Sequence, residues 1–442
     1  RVLFRSDGTI TLPRGVALKA PPAGSIALSG ANVSILGKLE ARGGNISALV
    51  YNISPSVAAA LRAGGSGSVL PLPNPDRGQF RLGSGAVINA AGLIVDNRPD
   101  SPTLSSVPKV TNGGTVSIRT YSADLAPGSL IDVSGGVEFG PRGERAFGTA
   151  GSIEILAGQD LGLLAVDGGS LQLGGSLKGF SGTSKGGTLS LQAQLIQIGG
   201  SLLSPASLRL EPDFFSQGGF STFNLTGFGE ALEGGGFLPG LFIGPGVKVQ
   251  PRVLSWLARP HGGPDGTIAL VPYEKPEIQR SPASLNFAAK GISNDLSGLL
   301  EVRGDLVFGR GASIVTDALG SISFTGDTVQ IYGNAKAPGG RITVTGGNRL
   351  PQIGTPPDYA QTTVYLAPAS RLSTAGKVLA QLDGQALPRK RVGLVALERV
   401  PVRDHTELRD MKGARIGEVT SGLLAPSAAV NELFALLEEQ VY

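Results

Sequence analysis

The feature that most constrains this chain is a short string repeated along most of its length. A Gly, alone or doubled, is followed by Ser or Thr and then by apolar residues alternating with small or polar ones. It reads Gly8-Thr9-Ile10-Thr11-Leu12, Gly24-Ser25-Ile26-Ala27-Leu28, Gly114-Thr115-Val116-Ser117-Ile118 and Gly151-Ser152-Ile153-Glu154-Ile155. It returns at Gly187-Thr188-Leu189-Ser190-Leu191, Gly266-Thr267-Ile268-Ala269-Leu270 and Gly320-Ser321-Ile322-Ser323-Phe324, and with Arg in the second place at Gly340-Arg341-Ile342-Thr343-Val344. The period is two, so one row of side chains can face a core while the other faces water. A strand this short buries almost nothing alone, so the strings must stack on one another.

Gly114 to Gly151 is 37 residues, Gly151 to Gly187 is 36 and Gly320 to Gly340 is 20. Second strands lie between the distant copies, at Leu130-Ile131-Asp132-Val133, Leu171-Gln172-Leu173 and Leu195-Ile196-Gln197-Ile198. The spacing predicts a coil of about 18–20 residues, within the range of solenoid repeats and too short for a helix pair. The expected fold is all-β: a right-handed parallel β-helix (β-solenoid) with irregular insertions and a short C-terminal helix. At ~20 residues per turn the whole chain would give at most about 22 coils and a rod of roughly 100 Å.

Four stretches leave the pattern and set the expected organisation. Residues 1–204 are shaft, with a loop insertion near 54–78 that opens on a short helix, Ser56 to Arg62. Asn97 to Lys109 is rich in Pro and Ser. Residues 205–282 carry Pro at ten positions and are expected to be an irregular insertion. Residues 283–381 continue the shaft, and 382–442 form a non-repetitive tail whose Ala428 to Leu437 has apolar residues at helical spacing.

Composition agrees. Glycine is 67 of 442 residues, about twice its usual share, and charged residues are 16% against the usual ~25%. Gly costs ~1 kcal/mol inside a helix, so such a chain suits strands and turns. The absence of cysteine excludes disulfides, thiolate metal sites and thiol catalysis. A net charge of +4 with one basic cluster, Arg389-Lys390-Arg391, lacks the concentrated stripe of a nucleic-acid binder. No apolar run approaches the ~18 residues of a membrane span. Arg1 opens the sequence without a signal peptide, as in a fragment or a processed product.

Two segments carry a family resemblance: Pro127-Gly128-Ser129-Leu130-Ile131-Asp132-Val133-Ser134-Gly135-Gly136 and Gly218-Gly219-Phe220-Ser221-Thr222-Phe223-Asn224-Leu225. With the Gly-Gly-Thr/Ser strand openings, the chain resembles the large exoproteins of the filamentous haemagglutinin type, exported by two-partner secretion. The resemblance covers roughly residues 1–200 and 300–380. It implies a β-helical shaft, a secreted or cell-surface location, and adhesion or matrix building. The expected partners are neighbouring copies or other segments of the same exoprotein, and host or matrix glycans or receptors. The Asn-Pro-Asn motifs of the family's secretion domain are missing, the nearest string being Asn74-Pro75-Asp76. The resemblance therefore places the chain in the shaft beyond that domain.

Parallel β-helices also include polysaccharide lyases and hydrolases, and some are stalks of autotransporters or toxin-delivery proteins. Glycoside hydrolysis needs paired carboxylates. Here Asp132, Asp160, Asp167, Asp305, Asp317 and Asp327 stand singly, most beside Gly, where Asp suits tight turns. The two histidines, His261 and His405, lie in polar loops and make no metal-ligand spacing. There is no phosphate-binding GxxxxGK[ST] string and no repeated calcium nonapeptide, Gly64-Gly65-Ser66-Gly67-Ser68 lacking its Asp. We therefore expect no enzyme, no cofactor and no metal. The remaining candidate is an adhesive tripeptide, Arg303-Gly304-Asp305, set against the simpler reading of a corner after Val302. Asn32, Asn45, Asn52 and Asn224 begin Asn-x-Ser/Thr sequons expected by chance.

Overall fold

A computed structural model describes residues 1–64, 69–99, 101, 109–182, 185–294, 296, 300–347, 364–377, 380–381, 389–395, 407–409, 415–424 and 431–438. Six of the eight Gly-led strings lie in one ten-stranded parallel sheet, face 1. Its strands follow chain order: Val2–Arg5, Ser25–Gly30, Asn45–Val50, Thr115–Arg119, Ser152–Leu156, Gly187–Ala193, Phe220–Gly227, Ser284–Ala289, Ser321–Thr325 and Arg341–Thr345. Each opens one coil, numbered 1 to 10. From face 1 the chain turns onto face 2 and then face 3, and returns one strand spacing along the axis. The result is a three-sided parallel β-solenoid.

In coils 1 to 5, face 2 is Thr9–Leu12, Asn32–Ile35, Gln79–Leu82, Ser122–Leu125 and Leu171–Leu173. Face 3 of the same coils is Ala17–Lys19, Lys38–Glu40, Val87–Asn89, Leu130–Asp132 and Ser176–Lys178. The intermediate strands seen in the sequence are thus other sides of the same turn. Spacings of 36 and 37 residues are single coils carrying insertions. Bare coils occur between the paired positions Ile26 and Ile46 and between Ile322 and Ile342, 20 residues each. Ten coils at ~4.8 Å give a shaft of roughly 45–50 Å, about half the expected upper bound.

Register keeps like over like. Ile26, Ile46, Val116, Ile153, Leu189, Phe223, Leu285, Ile322 and Ile342 form one inward column of face 1. Toward the far end Phe324 stacks on Phe287 and Phe308, ring centroids 5.8 and 5.4 Å apart. A one-residue slip would turn this whole column to solvent, so the pattern itself fixes register.

The Gly that opens each string has a steric reason. In the sequence it suggests a corner with positive φ. In the structure Gly44, Gly114, Gly151 and Gly340 lie instead directly over a glycine of the preceding coil. A Cβ on Gly114 would overlap the carbonyl oxygen of Gly44, and one on Gly151 that of Gly114. That same oxygen accepts the next residue's N–H: Thr115 N–H to Gly44 O at 2.9 Å, and Ser152 N–H to Gly114 O at 3.1 Å. Coils close to hydrogen-bonding distance at this corner because both residues lack side chains.

Three expectations are corrected. Residues 205–282 are not an irregular insertion throughout: Ser207–Leu210, Phe220–Gly227, Leu241–Ile243 and Lys248–Val249 are coil strands. The prolines sit at turns, in the hairpin strand Phe237–Pro239 and in the excursion that follows Val249. The Gly266 string is not a coil strand either. Ala269–Tyr273 pairs antiparallel with Ser255–Arg259 in a hairpin off the shaft. Lastly, Asn431–Glu438 is a strand, not a helix, bonded antiparallel to both Arg389–Val395 and Arg415–Leu424 in a five-stranded sheet. Pairing on both edges overrides helical spacing, which is a weak prior. Among the described residues the α-helix is Pro55–Gly64, where the sequence placed a short helix.

Gly114→Ala should lower the stability of the shaft by more than ~2 kcal/mol in denaturant titration, because backbone must move to admit the methyl. Gly234→Ala, where a Cβ meets nothing within 4 Å, should change it by less than ~0.5 kcal/mol.

Candidate interaction surfaces

The outward row of face 1 is polar and nearly uncharged in its middle. Asn286 Nδ2 donates to Asn224 Oδ1 (2.8 Å), and Asn224 Nδ2 to Ser190 Oγ (2.9 Å). One coil lower, Ser117 Oγ donates to Glu154 Oε2 (2.7 Å) and Arg119 pairs with the same carboxylate. These bonds run from coil to coil and tie the face together.

The insertions gather at the two edges of face 1. At the edge toward face 2 lie the helix Pro55–Gly64, the loop 157–169, and two hairpins, Gly229–Ala231 with Phe237–Pro239 and Ile292–Ser293 with Leu300–Val302. They have small cores of their own, one around Ile53, Ala58, Tyr121, Leu163 and Val166. Asp160, fully buried, pins this ridge. Its Oδ2 accepts from the backbone N–H of Asn52 (2.8 Å) and Ile53 (3.0 Å), and its Oδ1 from Gly162 (2.8 Å) and Leu163 (2.9 Å). Burial pushes the Asp167 carboxyl above the usual carboxylate range; Gln194 Nε2, donating at 3.0 Å, pulls it back in part, and Glu301 adds to the rise.

At the opposite edge, Ile94–Asp96, the hairpin Val137–Phe139 with Arg145–Phe147, and the hairpin Ser255–Arg259 with Ala269–Tyr273 share a core of Val137, Phe139, Ala258 and Ile268. Arg98 makes two 2.8 Å bonds to the Asp96 carboxylate, which it holds below the usual range. His261, at a φ of 58°, lies with its ring nitrogens 3.4 and 3.5 Å from the Arg98 guanidinium. His405 lies outside the described residues.

The residues flagged in the sequence are thereby placed. The Asp305 carboxylate, 5% exposed, accepts from Arg303 Nε (2.7 Å) and Nη2 (2.8 Å) and from Thr328 Oγ1 (2.6 Å). The tripeptide Arg303-Gly304-Asp305 is thus folded on itself, its acid turned into the shaft. Asp327 Oδ2 accepts from Gly304 N–H (2.9 Å), Asp317 pairs with Arg280, and Asp132 Oδ1 accepts from Ser134 N–H (2.9 Å). Asn52 is buried, its amide donating to Asn74 and Arg77 carbonyls. Arg389-Lys390-Arg391 opens a strand. Among the described residues no group of three or more His, Cys, Asp or Glu could hold a metal ion, and no helix is long and apolar enough to cross a membrane.

One site had no signal in the sequence. Coil 6 places two strands on face 2, Leu195–Ile198 and Ser207–Leu210, and none on face 3. The chain leaves Ile198, loops back, and runs Ser207–Leu210 beside Leu195–Ile198, on the side toward coil 5. A 3-10 turn, Pro212–Ser216, then takes the place of the face-3 strand, with Phe215 fully buried in the core. Face 1 passes this level with a single strand, so the faces no longer match in height. Leu171–Leu173 and Ser207–Leu210 are not bonded to each other, and neither are the face-3 strands Ser176–Lys178 and Lys248–Val249. The face-2 sheet resumes within coil 6, from Ser207–Leu210 to Val364–Leu366, and the face-3 sheet in coil 7, from Lys248–Val249 to Arg371–Ser373. The mismatch opens a groove of about 430 Å³, lined by residues including Leu177, Lys178, Phe180, Phe214, Gln217 and Phe220.

Comparison with known proteins adds no relative: no family model, no curated protein and no solved structure matches this chain. The fold alone defines its class, a parallel β-solenoid.

Asp160→Ala should leave four buried N–H groups unpaired and destabilise the ridge by about 2–3 kcal/mol, seen as faster amide exchange at Asn52, Ile53, Gly162 and Leu163. Asp167→Asn should act in the opposite sense. A folded-state pKa raised above the unfolded value favours folding fully at pH below that value, and the benefit declines as pH rises through the folded pKa. The variant should therefore be more stable than the parent at neutral pH, the advantage vanishing below about pH 3.9, the ordinary Asp value. Thermal melts across pH read this directly.

Proposed function

We propose that this chain is a length of shaft in a secreted, non-enzymatic surface or filament-forming exoprotein, a stiff element that carries lateral binding surfaces or joins others end to end. The observation that carries this reading is the unbroken ten-strand face with insertions along its edges. A stack bonded coil to coil resists bending, and insertions at its edges leave the axis free to continue.

Among the described residues, Val2–Arg5, Thr9–Leu12 and Ala17–Lys19 each pair on one side only, and so do Arg341–Thr345, Val364–Leu366 and Arg371–Ser373. Phe4, in an inward column opposite Leu28, is 45% exposed. Unpaired strand edges with apolar residues behind them are surfaces that add further strands. The Gly-Ser/Thr strings that resemble filamentous haemagglutinin-type exoproteins favour a secreted setting.

Two measurements test this. Electron microscopy of the purified chain should show particles elongated along one axis, associating end to end, with association reduced in Phe4→Asp. Compact particles, or association indifferent to that change, would remove the support for a shaft. In producing cells, a tag fused to the chain should be reached by protease added outside intact cells. Full protection there would overturn the surface assignment.

A further inference from the structure

Each coil from 7 to 10 carries one exposed cation on face 3 or on the turn that leads into it: Lys248, Arg310, Lys336 and Arg371. None of the four makes an ion pair among the described residues. The acids around them are already engaged: Glu211 with Arg209, Asp317 with Arg280 and Glu277 with Lys377. Asp213, at the coil-6 end, accepts from Gln217 Nε2 (3.2 Å), and Asp305 and Asp327 are buried at the opposite corner of face 2. The four cations therefore stand about one strand spacing apart along the axis, about 14 Å from first to last, with no counter-charge. Each comes from a different coil, so they form no basic run in the sequence.

Their placement across the strip is as ordered as their spacing along it. Lys248, Ser313, Asn334 and Arg371 form one outward column, and Val315, Lys336 and Ser373 the next. Arg310 stands at the tip of the turn on the face-2 side. A line along Ser313 and Asn334 thus has Arg310 on one side and Lys336 on the other, with Lys248 and Arg371 at its ends. The side chains on that line are a hydroxyl and an amide. Beyond Arg310, face 2 presents Phe242, Val307, Gln330 and Tyr365 in one outward column. Tyr332 donates its hydroxyl to Gln330 Oε1 (3.1 Å) and packs on Tyr365, centroids 5.6 Å apart.

We propose that this strip binds a linear acidic polysaccharide with a carboxylate on every sugar, lying along Ser313 and Asn334 parallel to the shaft axis. A sugar in an extended chain is about one strand spacing long, so successive carboxylates come level with successive coils. In such a chain alternate carboxylates point to opposite sides, and Arg310 and Lys336 flank the line in that way. The Ser313 hydroxyl and the Asn334 amide can donate to and accept from the sugar hydroxyls between them. A single-stranded nucleic acid would need free aromatic faces for its bases, and the two tyrosines pack on each other instead. Such binding deepens the proposed function and rests on it only in taking the side of the shaft as a binding surface.

The test uses the whole chain and a fluorescently labelled hexamer of α-1,4-linked galacturonate, followed by anisotropy in dilute buffer. Saturable binding is expected, weakening as salt is added. The methyl-esterified hexamer, which has no charge, should not bind. A hyaluronan hexamer, with a carboxylate on every second sugar, should bind roughly tenfold more weakly. Arg310→Glu combined with Lys336→Glu should weaken galacturonate binding roughly tenfold or more. Lys38→Glu combined with Arg81→Glu makes the same change of net charge at exposed positions of the near half and should leave binding as it is. Circular dichroism spectra matching the parent show that both double variants fold, and the comparison of hexamers needs no variant. No saturable binding, hyaluronan bound as tightly as galacturonate, or equal losses in the two double variants would each overturn the proposal. Displacement at lower concentration by oligothymidylate or by polyglutamate would overturn it in favour of a nucleic acid or an acidic protein segment. Particles still elongated in the microscope while galacturonate fails to bind would remove this site and leave the shaft reading standing.

Discussion

Everything in this molecule depends on how closely one coil can sit on the next. The limiting contact is at the corner where face 1 begins, where a glycine carbonyl accepts the N–H of the residue after the glycine above it. There backbone lies over backbone with no side chain between. Once that corner closes, the following residues are delivered in register, and the inward columns of Ile, Leu, Val and Phe form as a consequence. Burial then supplies most of the stabilisation, at roughly 25 cal/mol per Å² of apolar surface. The glycine corner decides that this burial happens in one register rather than several.

A stack held this way tolerates insertions as long as the chain returns to the same height. The excursions at the edges of face 1 do so, and they build separate small cores, pinned by groups such as Asp160 and the Arg98–Asp96 pair. Coil 6 is different. It returns to face 1 at the right height but adds a strand on face 2, and the cost appears as unbonded edges beneath it. The aromatic residues concentrate at this level and above, with Phe214, Phe215, Phe220 and Phe223 meeting edge to edge. Large rings fill the irregular space that aliphatic columns fill elsewhere.

The sequence revealed the parts governed by local pattern. Alternation after the Gly-led strings identified six of the ten face-1 strands and the parallel solenoid, and Ser56 to Arg62 identified the helix. Coil number was misread because Leu130–Asp132 and Leu171–Leu173 look the same whether they open a new turn or close an old one. The Gly266 string has the right letters, yet its strand pairs with Ser255–Arg259 instead of a coil, and no local property distinguishes the two partners. Leu433, Phe434, Leu436 and Leu437 have helical spacing, but strands on both sides claim their backbone. The tripeptide at Arg303 was visible as letters, whereas its folding onto itself follows from Thr328 one coil away. The groove was invisible for a simpler reason: it is the place of a strand that is not there.

The extra strand at coil 6 also sets how the shaft would carry load. Between most coils three ladders run in parallel, so a pull along the axis is shared by three faces. Between coils 5 and 6 the ladders of faces 2 and 3 are interrupted, and the sheet bonds from Ser152–Leu156 to Gly187–Ala193 carry that force. The rod is therefore stiff on either side of a single compliant joint, with face 1 as its leaf and the groove as its opening side. Tension would widen the groove before it separated any other pair of coils, which makes the aromatic pocket the part of the shaft most responsive to force.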